Sequence, residues 1–183
     1  MRTLKFHEAK LLKKVNFLHW KREHNERELQ VMRRYHVQER DDYTKYNRLC
    51  GLITKLTHVL RQLDASDPSR IDLTDRLLTK LDQMGVLPHK KSLAQCERLS
   101  TASFCRRRLS VVMVRLRMAE TVREACALVE QGHVRVGPEV ATDPAAHVTK
   151  AQEDFVTWVD TSKVRRKVLR YNDALDDYDL LNA

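Results

Sequence analysis

Phe104-Cys105-Arg106-Arg107-Arg108-Leu109, with the residues that follow as far as Pro144, decides how this chain folds. Three consecutive arginines head an apolar stripe of Leu109, Val112, Met113, Leu116 and Ala119, whose three- and four-residue steps predict a helix opening near Phe104. Thr121-Val122-Arg123-Glu124 has the spacing of a capping box. It predicts a second helix that buries Val122, Ala125, Cys126 and Val129 and stops at Gly132. His133–Val136 and Asp154–Val159 read as strands from their alternation and β-branched content, and Asp143-Pro144 ends a tight connection. A basic helix, a capped helix and a short basic strand in that order describe a surface suited to a phosphate backbone.

Composition points the same way. The chain has 183 residues, with Lys+Arg 34 against Asp+Glu 25, a formal charge of +9 and 32 % charged residues. Such an excess favours a polyanion, either nucleic acid or an acidic membrane surface. A hydrophobic fraction of 42 % excludes wholesale disorder, and four glycines with four prolines predict mostly long helices. No apolar run approaches the roughly 20 residues of a membrane span, and Lys13-Lys14 follows Leu11-Leu12 too closely for a signal-peptide core. Cys50, Cys96, Cys105 and Cys126 form no Cys-x-x-Cys pair and are expected as reduced, packed thiols. The eight histidines lack metal-ligand spacing, so no zinc and no cofactor are expected.

Four segments are expected. Residues 1–25 form a basic arm in which Lys5, Lys10, Lys13 and Lys14 are mixed with Phe6, Leu12, Phe17 and Trp20. The arm either orders on a partner or is a solvated helix face, and charge alone favours neither. Residues 26–103 form a helical unit. In it one helix runs from about Glu26 to Leu63, burying Leu49, Leu52, Ile53, Leu56, Val59, Leu60 and Leu63 as a single stripe. Ser66-Asp67-Pro68 breaks it, a second helix from near Ile71 ends at Gly85, and Ser92 caps a short third one. Residues 104–172 carry the two helices and the strands, and residues 173–183 are an acidic tail. The fold class is α+β, mostly α.

The candidate binding residues follow from chemistry. Arginine's planar fork donates two hydrogen bonds to one phosphate or stacks on an unpaired base. Arg106, Arg107 and Arg108 stand at an expected helix start, where free amides also favour an anion. Helical spacing places Arg108 and Arg115 on one edge and Arg106 and Arg117 on the other. Thr121 and Arg123 lie at the next helix start, and Gln131, His133 and Arg135 on the adjoining turn and strand. The lysines of the arm complete the set. The plain alternative for three arginines at a helix start is a solvated basic edge, and it is their combination with the second helix start that favours nucleic acid.

No catalytic constellation competes. Gly51, Gly85, Gly132 and Gly137 form no phosphate loop, and neither His-Glu-x-x-His nor Gly-x-Ser-x-Gly occurs. Asp41-Asp42 and Asp176-Asp177 read as surface acids, and His19 and His24 as packed or solvent-facing side chains. Aromatic residues make up only 6 %, too few for a sheet that stacks bases broadly.

Phe104–Leu109, Arg115-Leu116-x-Met118-Ala119, Glu124-Ala125 and Val129-x-x-Gly132-His133-Val134-x-Val136 together resemble the S4-type RNA-binding domain. That module is two helices packed on a small sheet, and the likeness continues through Asp143-Pro144 to Phe155-Val156-x-Trp158. Val136-Gly137-Pro138-Glu139 departs from the Val-Asn-Gly of ribosomal members. The turn is expected to survive, but no contact made by that Asn carries over. Leu4–Glu8, Asp42-Tyr43-x-Lys45-Tyr46-Asn47, Glu153–Asp160 and Tyr171-Asn172 extend the resemblance over nearly the whole chain, to the nucleolar branch of the family found in the U3 small nucleolar ribonucleoprotein. The resemblance implies a non-catalytic nucleolar assembly factor for the small ribosomal subunit. Its implied partners are U3 small nucleolar RNA, the ribosomal RNA precursor, a Brix-domain protein and a large acidic scaffold phosphoprotein, with no membrane. Three alternatives stand beside it: a mature small-subunit ribosomal protein, an RNA-modifying enzyme that uses an S4-type handle, and a helical protein-interaction module.

Overall fold

The structure is a computed structural model that describes residues 2–15 and 22–175, with side chains in the second stretch from residue 26 onward. Phe17, His19, Trp20, the side chain of His24 and the acids Asp176, Asp177 and Asp179 lie outside the described residues.

The arm contains helix α1 (Phe6–Lys14), which buries no residue. Glu8 holds its start, accepting from the Lys5 amide (2.9 Å) and the Arg2 guanidinium (2.6 Å). The single helix expected over 26–63 is two, α2 (Arg22–Arg34) and α3 (Arg40–Gln62). Between them His36 adopts φ +47, and the Val37 amide returns to the Met32 carbonyl (2.9 Å). This turn drives Tyr35 and Val37 into a cluster with Cys105, and Arg40 spans the corner to both carboxylate oxygens of Glu28. Burial of those two side chains opposes the cost of a left-handed non-glycine residue.

α4 (Pro68–Gln83) starts as its sequence predicts, with Asp67 accepting from the Ser69 amide (2.9 Å) and Pro68 in the first turn. It ends in a Schellman motif: Gly85 at φ +70 donates to Asp82 and Val86 donates to Leu81. Ser92 stands before the short α5 (Leu93–Glu97), although its hydroxyl makes no capping bond. Leu78, Leu81, Leu87 and Cys96 pack together, and Cys50, Val86 and Phe104 form a neighbouring cluster in which Tyr46 stacks on Phe104 at 5.8 Å.

Phe104 does not open the next helix. α6 (Thr101–Cys105) ends there, and α7 (Leu109–Arg115) starts only after the arginine triplet. α8 (Val122–Glu130) follows, then β1 (Val134–Val136), β2 (Glu139–Ala141), α9 (Lys150–Glu153), β3 (Val156–Trp158) and α10 (Lys163–Tyr171). The sheet order is β2-β1-β3, antiparallel throughout, with Val134 opposite both Ala141 and Trp158. β2 is absent from the expectation drawn from sequence. The Gly137-Pro138 turn survives, with Gly137 at φ +62 in the first position of a two-residue hairpin loop. α7 and α8 bury Leu109, Val112, Met113, Ala125 and Val129 against Val134, Val148 and Val156. The α+β class, with a helical N-terminal unit and two helices on a small sheet, is therefore present.

Candidate nucleic-acid interface

The triplet divides. Arg106 is exposed and, among the described residues, reaches only Ser103 Oγ (3.1 Å), whereas Arg107 and Arg108 are each 3 % exposed. Arg107 donates from Nε to the Val148 carbonyl (2.9 Å) and from Nη1 to Glu153 (2.9 Å). Arg108 donates from Nη1 to Asp42 (2.9 Å) and to the Tyr46 hydroxyl (3.3 Å). The expectation that these two meet phosphate is corrected here. Their guanidiniums are enclosed where the helical unit meets the sheet unit, and the part-buried carboxylates of Glu153 and Asp42 hold them there. His147 donates to the Met84 carbonyl (2.9 Å) and Gln38 to Glu130 (2.8 Å) across the same boundary.

The electrostatics fit this tie. Burial by itself would raise the Asp42 and Glu153 pKa values. The hydrogen bonds and charges of Arg108 and Lys45 on Asp42, and of Arg107 and Arg115 on Glu153, outweigh it and hold both below the usual carboxylate range. Burial pushes His147 below the ordinary imidazole value, with a smaller lowering from Arg107. All four cysteines are free and buried, as expected, and burial raises their thiols, Cys105 to about 11.

Two exposed cations, Arg117 and Arg123, lie at the α7–α8 corner. α7 closes in a Schellman motif in which Met118 donates to Met113 (3.0 Å) and Arg117 to Val114 (3.1 Å). The left-handed position of such a motif usually holds glycine; here it is Arg117, at φ +60. Its side chain is exposed and, among the described residues, without a hydrogen-bond or ion-pair partner, as is that of Arg123 in the first turn of α8. Glu120 and Glu124 line the corner cavity beside Arg117, so this part of the surface is mixed in charge. The capping at α8 is not the reciprocal box. Thr121 Oγ1 accepts from the Glu124 amide (3.2 Å), but the Glu124 carboxylate takes the Glu120 amide (3.2 Å). A reciprocal box does form at α9 between Thr149 and Gln152, a pair that sequence reading passed over.

Arg115 is half-exposed and held by Glu153. Gln131 is exposed, and α8 ends in another Schellman motif, with Gly132 at φ +74 and the His133 amide on Leu128 (3.1 Å). That bond directs His133 Nδ1 at the Ser162 hydroxyl (3.1 Å), which caps α10. Arg135 is engaged by Asp160 (2.7 Å) and Thr157 (3.1 Å), leaving it half-buried. The helix that starts beside His133 was missing from the candidate set. α10 carries Lys163, Arg166, Lys167 and Arg170, all exposed and without side-chain partners among the described residues. The run of five bases from 163 to 170 was the available signal. Lys5, Lys10, Lys13 and Lys14 are exposed on or beside α1, away from any core.

Comparison with known proteins agrees with this architecture. Residues 3–106 match the family described as Ribosomal protein S4/S9 N-terminal domain, and residues 107–154 match the S4 domain. The U3 small nucleolar ribonucleoprotein protein IMP3 of Mus musculus is 53 % identical over 181 residues, covering 98 % of both chains. The protein belongs to the IMP3 family. The Homo sapiens IMP3 is 52 % identical, again over 98 % of both chains. The more distant small ribosomal subunit protein uS4 of Hyperthermus butylicus is 28 % identical over 151 residues, 82 % of this chain and 84 % of that one. The IMP3 family thus shares the two-unit plan with the ribosomal S4 proteins. The tie through Arg107 and Arg108 falls where the two matched regions meet.

Proposed function

We propose that this protein is a non-catalytic RNA-binding component of the U3 small nucleolar ribonucleoprotein, acting in the nucleolus during assembly of the small ribosomal subunit. In this reading it helps U3 RNA pair with the ribosomal RNA precursor, beside a Brix-domain protein and a large acidic scaffold phosphoprotein. The supporting observation is a family likeness over 98 % of both chains to proteins named for that particle. It is joined by a surface on which Arg106, Arg117, Arg123 and the cations of α10 are exposed while Arg107 and Arg108 hold the two units together. Gln131, His133 and Arg135 then serve as a framed edge beside α10, and the lysines of the arm extend the positive field. Thr121 positions Arg123 by capping its helix.

In-cell crosslinking with sequencing of the bound RNA tests this. Crosslinks to U3 and to the leader of the precursor are expected, with Arg117 and Arg123 variants losing them. Crosslinks confined to mature small-subunit RNA, with sedimentation in polysomes, would overturn the assembly role in favour of a ribosomal one.

A further inference from the structure

α3 carries more apolar surface than the fold covers. Cys50, Thr57 and Leu60 face the core, but Leu49, Leu52, Leu56, Val59 and Leu63 are exposed, Leu52 to 54 % and Val59 to 53 %. The stripe expected to be buried is therefore buried along one flank only. The exposed five recur in alternating steps of three and four, so at 3.6 residues per turn they form one narrow seam beside the buried flank. Single exposed leucines are ordinary; a contiguous row marks a site of association.

Along the helix itself the charge beside the seam has one sign, although the exposed Asp64 follows its last leucine and Glu97 pairs with Arg61. Between Tyr43 and Leu63 the helix holds no Asp or Glu. Arg48 and Lys55, each one residue before a seam leucine, are exposed and have no carboxylate partner among the described residues. At the far end Arg70 Nη1 sits on the Leu63 carbonyl (2.8 Å).

We propose that this seam docks an amphipathic helix of a partner protein, with an apolar row on Leu49–Leu63 and acidic residues beside Arg48 and Lys55. Two heptads of anchors at such spacing is the pattern by which grooves and helix faces read a partner helix. Acidic flanks gain from the cationic rim, whereas a second copy of this chain would bring the same cations against it. A nucleic acid would gain nothing from the apolar row. The seam uses none of the cations assigned to RNA, so it stands or falls apart from that reading.

The test titrates the full chain with two synthetic peptides of about three heptads, apolar at a and d, one with Glu and one with Lys at e and g. The Glu peptide is expected to bind more tightly by on the order of tenfold, with the gap closing as salt rises. Leu52→Glu with Leu56→Glu abolishes binding while leaving circular dichroism and the thermal midpoint unchanged, since neither side chain is in the core. Arg48→Glu with Lys55→Glu reverses the preference to the Lys peptide. Equal binding of both peptides, or of neither, overturns the proposal. So does binding that appears only after residues 176–183 are deleted, which would make the chain's own tail the occupant. A dimer in sedimentation equilibrium that the leucine variant dissociates would assign the seam to a second copy. Binding of phosphatidylserine vesicles abolished in the same variant would assign it to lipid.

Discussion

Gly85 lies directly beneath the Arg107 guanidinium: a methyl group at position 85 would stand 2.6 Å from Arg107 Nε. The glycine is required twice, once for φ +70 at the end of α4 and once for this close approach. The helix terminus of one unit is thereby shaped to the buried arginine at the start of the other.

Gly85→Ala is expected to lower the thermal midpoint sharply, because strain in the backbone and displacement of Arg107 add. Arg107→Ala leaves Glu153 partly buried beside one remaining cation and is expected to cost about 3–5 kcal/mol. Chemical denaturation checks both. A stability near that of the unaltered protein for either variant would contradict the tie.

Arg117 gives a variant in which stability and binding move in opposite directions. An L-residue in the left-handed region costs roughly 1–2 kcal/mol that glycine avoids. Arg117→Gly is therefore expected to raise the thermal midpoint while weakening RNA binding. Unchanged affinity would remove Arg117 from the binding surface.

The pH dependence of stability has two limbs. Burial holds the folded His147 pKa below its ordinary value, so the unfolded chain takes up protons first as pH falls below about 6.5, and stability declines from there. Asp42 and Glu153, lowered in the folded state, contribute fully above about pH 4, and that contribution is lost as pH falls through their folded values. His147→Gln is expected to flatten the upper limb and leave the lower one. Thermal midpoints across pH 3–8 (roughly the window set by those ordinary pKa values) check this, and identical profiles would refute the assignment.

Gly51 sits inside α3 with open space around it, so no close approach requires a missing side chain. Gly51→Ala is expected to stabilise the protein by about 0.5–1 kcal/mol, read from denaturant midpoints.

Removal of residues 1–20 tests the arm. α1 buries nothing, so the remainder is expected to keep its thermal midpoint. Every lysine–phosphate pair that the truncation removes flattens the slope of log affinity against log salt by roughly 0.7–0.9. A lowered midpoint with an unchanged slope would make the arm a cover for the helical unit instead.

Among the described residues, five helices end with a left-handed residue, and they show what one dimension reveals. Gly85 and Gly132 were legible, because glycine after the last periodic residue is itself the signal. His36, Arg117 and Asp173 do the same work with side chains that announce nothing. The α2–α3 break was therefore missed, and Arg117 entered the candidate set through its charge alone, without its backbone conformation.

The sequence by itself determined the helical periodicities, the cationic balance and the ordered motifs of the S4 pattern, since each is a local property of residue type and spacing. Only the tertiary structure decided which arginines of the triplet face solvent. Arg108 is buried because Asp42 lies 66 residues earlier, and Arg107 because Glu153 lies 46 residues later. The same holds for α3, where packing covers one flank of an apolar stripe and leaves the other bare. Burial is set by what the fold brings alongside a side chain, and spacing along the chain carries no record of it.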